Sequence, residues 1–404
     1  MDTEPTRRAD IRHRLGLRPI INVSGTMTHL GASSVGPAAV RAVAEILPEF
    51  VELNDLHRRA SQTIARLTGA EAGLVAACAS AGITLSVAGC MTGADLGRIE
   101  QLPDAAGMKD EVVIQAGHLV GYGAPVEQAI RLAGARVVPV GQATDARPYQ
   151  LAHRLSTRTA AAVYVVSHHA VRYGQLALGQ FAEICHARGV PVIADLASEY
   201  DLRGFLAAGA DLAVYSAHKF LGGPTAGLVA GPKALVRAVF LQNMGIGRGM
   251  KVGKEGIAGA IAALEAWERR DHAAVRAGER DHLDCWLKRF DGLPGVTATI
   301  VPDPTGNPLD RLQLTVDPEA ARLTAWELAD ALAGGDPPVI VRDHEAEHGF
   351  FYLDPCNLHP GEAEIVAERV AAELEQARRR ERRPPVSIAE RKARRFERLL
   401  RWPD

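Results

Sequence analysis

The chain is 404 residues long, 47% apolar and 23% charged, with a formal net charge of −2. These proportions are ordinary for a folded globular protein and exclude wholesale disorder, a collagen-like chain and a disulfide scaffold. The near-neutral balance gives no global reason for a nucleic acid or an anionic membrane as partner. Five scattered cysteines (Cys78, Cys90, Cys185, Cys285, Cys356) suit free thiols in a reducing cytoplasm.

In chain order, residues 1–18 read as a polar N-terminal arm without the apolar core of a signal peptide. From 37 to 68 the apolar spacing is helical, through Val40, Val43, Ile46, Ile64 and Leu67. Residues 72–94 carry no charge, yet they are rich in Gly, Ala, Ser and Thr. They read as a buried strand, a tight turn and a buried helix rather than a membrane span, which needs ~20 strongly apolar residues. Short apolar runs follow at Val112–Gln115, Ala135–Val140, Ala161–Val166, Pro191–Asp195 and Leu212–Ser216. Helical patterns fall between them at 124–133, 147–156, 178–188 and 204–208. Such alternation predicts parallel strands joined by crossover helices, hence an α/β sheet covered on both faces.

Residues 254–290 read as one long helix or two in series, with Ile257, Ile261, Leu264 and Trp267 on one face. Beyond it, strand-like runs at 295–301, 311–316, 338–341 and 349–353 and helical patterns at 324–333 and 361–382 predict a smaller α+β domain. The expected division is an arm (1–18), a large domain (19–260), a connecting helix (261–284), a small domain (285–376) and a tail (377–404). The tail holds Arg378, Arg379, Arg380, Arg382, Arg383, Arg391, Lys392, Arg394, Arg395, Arg398 and Arg401 against four acids. It carries +7, which leaves −9 on the rest of the chain. Phe396, Leu399, Leu400 and Trp402 give it an apolar face suited to docking on a neighbouring subunit, with binding of nucleic acid or an acidic partner as the alternative.

Three segments carry chemistry. In the run from Val214 to Gly227, a strand delivers Ser216, His218 and Lys219 to its carboxyl end, and a Gly-Gly-Pro turn follows. Ligands bind at the carboxyl ends of parallel strands, and a lysine there is well placed for a Schiff base with an aldehyde cofactor. Asp195 ends the apolar strand Val190–Ala194, where a carboxylate is costly unless paired. The pyridine nitrogen of pyridoxal 5'-phosphate (PLP) supplies such a partner. Ser80, Ala81 and Gly82, between a strand and a helix, form a small-residue turn able to hold a phosphate on backbone N–H groups. Taken singly, an Asp at a strand end also serves as a helix cap, and the 78–84 run as a plain turn.

Other residues fit the same site. His118 follows a strand and could stack on the cofactor ring, or serve as a loop histidine. Glycines around Arg248, Lys251 and Lys254 suit contacts to a phosphate or carboxylate, or a basic helix entrance. His168, His169, Arg172 and Tyr173 follow the Ala161–Val166 strand and fall at the same rim as Lys219. Thr26, Thr28 and His29 are further candidates for a substrate-side wall. The adjacent histidines lack the companion spacing of a zinc site, and no metal is expected.

Together these marks resemble the fold-type I PLP enzymes around selenocysteine synthase (L-seryl-tRNA(Sec) selenium transferase). They look closer still to the D-glucosaminate-6-phosphate ammonia lyase group. The resemblance spans roughly 19–375 and rests on Ile21–Gly31, the Ser-Ala-His-Lys-Phe-Leu-Gly-Gly-Pro run, Gly245–Glu255 and the Asp-Pro-Cys-Asn-Leu-His-Pro-Gly run at 354–361. It implies an aspartate aminotransferase-like large domain with a mainly parallel sheet. Lys219 would carry the Schiff base, Asp195 would hold the pyridinium and the 80–82 turn the phosphate. His118 would stack on the ring, and Arg248 would bind anionic groups. It also implies a homodimer or larger homo-oligomer with active sites at subunit interfaces. The Asn22 motif stands near the start of the sequence, without the tRNA-binding region of selenocysteine synthase ahead of it, so a tRNA substrate is not expected.

The expected function is α,β-elimination with ammonia release from a small amino acid, β-hydroxylated or sugar-derived, in the cytoplasm. Racemisation, transamination and Cα–Cβ cleavage use the same machinery and stay open. So does a non-catalytic PLP-binding protein whose tail engages RNA or another partner.

Overall fold

The computed structural model describes residues 11–381 and 384–404. Most of the expected N-terminal arm (1–10), and Arg382 and Arg383 of the tail, lie outside the described residues. By contact the chain forms two units, one of residues 33–270 and one of residues 11–32 with 271–404.

Strand β1 (Ile21–Val23) belongs to the second unit. The 33–270 unit runs α1 (Pro37–Ile46), α2 (Leu53–Thr68), β2 (Ala72–Ala76), α3 (Ala79–Thr92), α4 (Leu96–Gln101), β3 (Glu111–Gln115) and α5 (Val126–Arg131). It continues through β4 (Arg136–Val140), α6 (Pro148–Arg154), β5 (Thr159–Val165), α7 (Leu178–His186), β6 (Val192–Asp195) and α8 (Gly204–Ala207). β7 (Leu212–Ser216), β8 (Gly227–Gly231), α9 (Lys233–Leu241) and α10 (Lys254–Arg269) complete it. The strands form one sheet in the order β2-β8-β7-β6-β5-β3-β4. Every adjacent pair from β7 to β4 is parallel, while β8 runs antiparallel to β7 and β2.

This sheet follows from its sequence. β3, β6 and β7 are buried at every position and β5 at all but Tyr164, as strands covered on both faces must be. Two apolar clusters cover the faces, one around Phe181, Tyr215 and Leu264, the other around Ile83, Ile114 and Val229. The 72–94 run is the anticipated strand and buried helix, β2 and α3. Among the described residues no helix is long and apolar enough to cross a membrane. The helical stretch 37–68 is two helices, with Pro48 between them unable to donate to a helix ladder.

The 254–290 stretch also divides. α10 ends at Arg269, and the Asp271 side chain accepts from the Ala274 N–H to start α11 (His272–Phe290). α11 opens the second unit, followed by β9 (Val296–Pro302), β10 (Asp310–Val316), α12 (Pro318–Ala321), α13 (Ala325–Gly334), β11 (Val339–Val341), β12 (Phe350–Leu353), α14 (Glu362–Arg379) and α15 (Ile388–Leu400). β9, β10 and β12 make an antiparallel sheet in the order β12-β10-β9. β11 stands apart and pairs in parallel with β1, Val23 opposite Val341. That pairing is why residues 19–32, expected with the large domain, belong to the C-terminal unit. The unit's core gathers Trp286, Phe290, Leu312, Phe351 and Val366. The Trp286 Nε1–H donates to the Ala363 carbonyl at 2.8 Å.

α15 bonds to its own unit, where Asp330, Asp343 and Glu347 offer an acidic face. Arg391 forks onto Asp330 and reaches Asp343 at 2.6 Å, and Lys392 reaches Glu347 at 2.7 Å. Ahead of the helix, the Trp326 Nε1–H donates to the Val386 carbonyl at 2.7 Å. Phe396, Leu399, Leu400 and Trp402 remain exposed.

Candidate functional site

β6 and β7 lie side by side and parallel, Asp195 opposite Val214, so their carboxyl ends open at the same edge. Asp195 is 5% exposed, and its Oδ1 accepts from the Ala197 N–H at 3.3 Å. Burial pushes its carboxyl up to about 6, against the pull of the Lys219 ammonium and the Ala197 N–H. Lys219 Nζ donates to Ser198 Oγ at 2.7 Å, on the loop that leaves β6.

Lys219 is held from its backbone as well. Ser33 Oγ lies 2.7 Å from both the His218 and Lys219 carbonyls, and the Gly222 N–H donates to the Lys219 carbonyl at 3.0 Å. His218 Nδ1 stands 3.5 Å from Ser216 Oγ, and burial and Lys219 lower its pKa. Sequence reasoning singled out neither Ser33 nor Ser198, since a lone serine in a loop carries no signal until the fold brings it to a functional group.

The turn between β2 and α3 is built for close approach. Cys78 is the N-cap, its Sγ accepting from the Ala81 N–H, and Ser80, Ala81 and Gly82 fill the first turn. A Cβ on Gly82 would stand 2.9 Å from Val214 Cγ1 and 3.2 Å from Val229 Cγ2, so only glycine lets α3 lie this close to β7 and β8. On β8, a Cβ at Gly227 would meet the Cys78 carbonyl at 2.3 Å. The Tyr122 hydroxyl, influenced by Ser80, Cys78 and Asp195, is buried without a well-formed hydrogen bond among the described residues. Burial raises it to about 12. Sequence reasoning passed over this tyrosine also.

His118 is 3% exposed at the end of a short turn after β3. The Val165 N–H donates to its Nδ1 at 3.2 Å, which leaves the ring proton on Nε2. Its ring meets Tyr164 edge-on, centroids 4.5 Å apart. Burial lowers its pKa to about 4, so the ring is neutral at neutral pH. The loops after β3 and β5 are joined by the Val171 N–H, which donates to the Gly117 carbonyl at 3.1 Å. The second loop carries His168 and His169, ring centroids 3.8 Å apart, and the exposed Arg172 and Tyr173.

Other expected residues stand differently. Arg248 and Lys251 lie exposed on and just after a short 3-10 turn, with no ion pair among the described residues. Lys254 donates to the Glu49 carbonyl and covers the Phe50 ring. Thr26 and Thr28 belong to the C-terminal unit, with Thr28 exposed.

These features fit PLP on three counts. A buried carboxylate of raised pKa lacks a strong counter-cation, a lysine amine lies one strand away, and a helix N-terminus adjoins an unsatisfied hydroxyl. The site would take the pyridine nitrogen on Asp195, the aldehyde on Lys219 and the phosphate at residues 80–82.

The chain is similar to several known proteins. The family model described as L-seryl-tRNA selenium transferase matches residues 20–277. A D-glucosaminate-6-phosphate ammonia lyase of Salmonella typhimurium is 37% identical over 368 residues, 91% of this chain and 99% of that protein. A 5'-C-glycyluridine monooxygenase-decarboxylase of a Streptomyces species is 36% identical over 88% of this chain and 90% of its own length. An L-seryl-tRNA(Sec) selenium transferase of Moorella thermoacetica is 26% identical over 90% of this chain. A solved D-glucosaminate-6-phosphate ammonia-lyase superposes with a TM-score of 0.83 at 37% identity, covering 91% of this chain and 98% of that one. Thermus thermophilus aspartate aminotransferase, at 16% identity and a TM-score of 0.52 over 91% of this chain and 95% of its own, shares the fold.

Proposed function

This chain belongs to the L-seryl-tRNA selenium transferase family of fold-type I enzymes, and on that premise we propose that it is a PLP-dependent ammonia lyase. Its substrate class is a sugar-derived 2-amino acid such as D-glucosaminate 6-phosphate. The observation that carries this reading is the 37% identity to a lyase of that name over 99% of the lyase's length. The paired Asp195 and Lys219 give the reading its chemistry.

When bound, PLP supplies an aldehyde for an amine and an electron-withdrawing ring that accepts charge from the α-carbon. Asp195 would keep a proton on the pyridine nitrogen, whose positive charge would favour the ionised carboxylate. The 80–82 N–H groups and the Tyr122 hydroxyl would hold the phosphate. His118, neutral and fixed by Val165, would offer an uncharged ring beside the cofactor.

Lys219, steadied by Ser198 and Ser33, would take the proton from the substrate's Cα. The 3-hydroxyl then leaves and takes a proton as water. Water returns at C2 as the nitrogen leaves as ammonia, so the net products are one 2-oxo-3-deoxy acid and one ammonia. Arg248, Lys251 and His169 serve the substrate's anionic groups. The enzyme works as a cytoplasmic homo-oligomer on a small molecule, with neither nucleic acid nor membrane as partner.

The 36% identity to a monooxygenase-decarboxylase favours a second reading, oxidative decarboxylation of a glycyl nucleoside. One assay separates the two. Holoprotein incubated with D-glucosaminate 6-phosphate should release ammonia and a 2-oxo acid in equal amounts without consuming oxygen. Oxygen uptake with a glycyl nucleoside, and no ammonia from the sugar acid, would reverse the assignment.

A further inference from the structure

α15 is bonded to its own unit through its first half alone. Arg391 and Lys392 hold Asp330, Asp343 and Glu347, whereas residues 393–402 make no side-chain hydrogen bond or ion pair among the described residues. Phe396, Leu399 and Leu400 share one face of the helix, in line with Lys392, because they lie four, seven and eight residues beyond it. Together with Trp402 in the turn that follows, they are between 65% and 85% exposed. The line that Lys392 lays on the unit thus runs on past it, apolar and uncovered. Arg394, Arg395, Arg398 and Arg401 against Glu397 give this half a charge of +3.

A second surface of the chain has the opposite sign. From the end of α1 into α2 every residue from 47 to 55 is exposed, among them Leu47, Phe50, Val51 and Leu53. Glu45, Glu49, Glu52 and Asp55 put −4 on residues 45–55, which hold no lysine or arginine. Asp55 pairs with Arg58, while the three glutamates make no ion pair among the described residues. Lys254 covers one face of the Phe50 ring, its Nζ 5.8 Å from the centroid, and still leaves that side chain fully exposed.

Exposed apolar clusters of this kind mark contact surfaces. Each of the two is set among charges of one sign, and the signs are complementary, which steers and selects a partner. Polyanions fit the tail poorly, since the −9 on the rest of the chain repels nucleic acid and anionic membranes alike. The same −9 draws in the tail of another copy. Within one chain both surfaces stand open, so neither covers the other.

We propose that the projecting half of α15 docks on residues 45–55 of a second copy of this chain. Phe396, Leu399, Leu400 and Trp402 would lie against Leu47, Phe50, Val51 and Leu53, with the arginines over Glu45, Glu49 and Glu52. The contact deepens the homo-oligomer proposed above and holds whichever reaction the site performs.

The test places a photoreactive side chain on the tail of the full-length holoprotein, as Leu400→benzoylphenylalanine and separately as Phe396→benzoylphenylalanine. Irradiation should yield a product of two chains' mass, joined through the tryptic peptide 42–58. Glu49→Arg with Glu52→Arg should cut the yield about tenfold, and adding Arg395→Glu with Arg398→Glu should restore it. All four positions are exposed, so these changes leave the core intact. A cross-link within one chain, to another tail or to another face of the second copy overturns the proposal. So does the absence of any cross-link, or a yield indifferent to the charge reversals. Light scattering on the same sample tells the failures apart: a monomer removes the homo-oligomer as well, whereas an oligomer lacking the 42–58 cross-link removes this contact alone.

Discussion

His118 and Asp195 are buried groups whose protonation opposes each other over one pH range. The histidine titrates at about 4 in the folded chain against 6.5 for an ordinary histidine. Between those values only the unfolded chain holds its proton. The stability it contributes is complete above pH 6.5 and is lost as pH falls toward 4. At ~1.4 kcal/mol per pH unit this amounts to about 3 kcal/mol. Asp195 titrates at about 6 when folded against 3.8 ordinarily, so here the folded chain holds the extra proton. Its contribution is complete below pH 3.8 and is lost as pH rises through 6, again about 3 kcal/mol. In cofactor-free protein the two slopes nearly cancel.

His118→Phe and Asp195→Asn each remove one of the slopes. Urea unfolding of the cofactor-free proteins at pH 4 to 7 gives the free energies. Relative to wild type, His118→Phe should gain stability as pH falls, by about 3 kcal/mol across the range. Asp195→Asn should lose a similar amount in the same direction. The lost acceptor for the Val165 N–H shifts the Phe variant at every pH alike, so the slope carries the test. If the His118→Phe and wild-type curves run parallel from pH 7 to 4, the assignment of a buried neutral histidine is refuted.

Three further outcomes are expected. Lys219→Ala holoprotein should lose both the visible band of lysine-bound PLP and ammonia release, as read by absorbance and an ammonia assay. Gly82→Ala drives a methyl to 2.9 Å from Val214 and should cost about 1–3 kcal/mol by overpacking, with weaker PLP binding; thermal melts and cofactor titration measure the two. Arg311→Met strands Asp303 and Asp354 in the interior and should cost about 3–5 kcal/mol in urea unfolding, whereas a near-neutral effect would show that water reaches them.

The strands that carry the cofactor residues were legible because each is a continuous apolar run ending in a polar residue, as at Asp195 and Ser216. A strand buried on both faces needs no other pattern. β8 was not legible, for Gly-Leu-Val-Ala-Gly has the glycines of a loop and becomes a strand only between β2 and β7. The membership of residues 19–32 was hidden for a related reason. β1 pairs with a strand more than 300 residues away, and no local periodicity encodes that distance. At the site, Lys219 and Asp195 stood out because charged groups at the ends of apolar strands are costly. Ser33, Ser198 and Tyr122 acquire meaning only from neighbours brought by the fold. The tail's basic character was plain, but its acidic partners Asp330, Asp343 and Glu347 are spread over 18 residues with no pattern of their own.

The adjacency of β6 and β7 bears on how such a protein can be re-engineered. Asp195 and Lys219 are set by backbone pairing inside the sheet, while His168, His169, Arg172 and Tyr173 sit on a loop that hangs from its edge. The loop is still tied to the turn that carries His118, through the Val171 N–H and the Gly117 carbonyl. Grafting residues 167–175 from a relative of different specificity should therefore leave Asp195 and Lys219 in register, provided the graft keeps that donor, which makes this loop a unit of exchange for directed evolution.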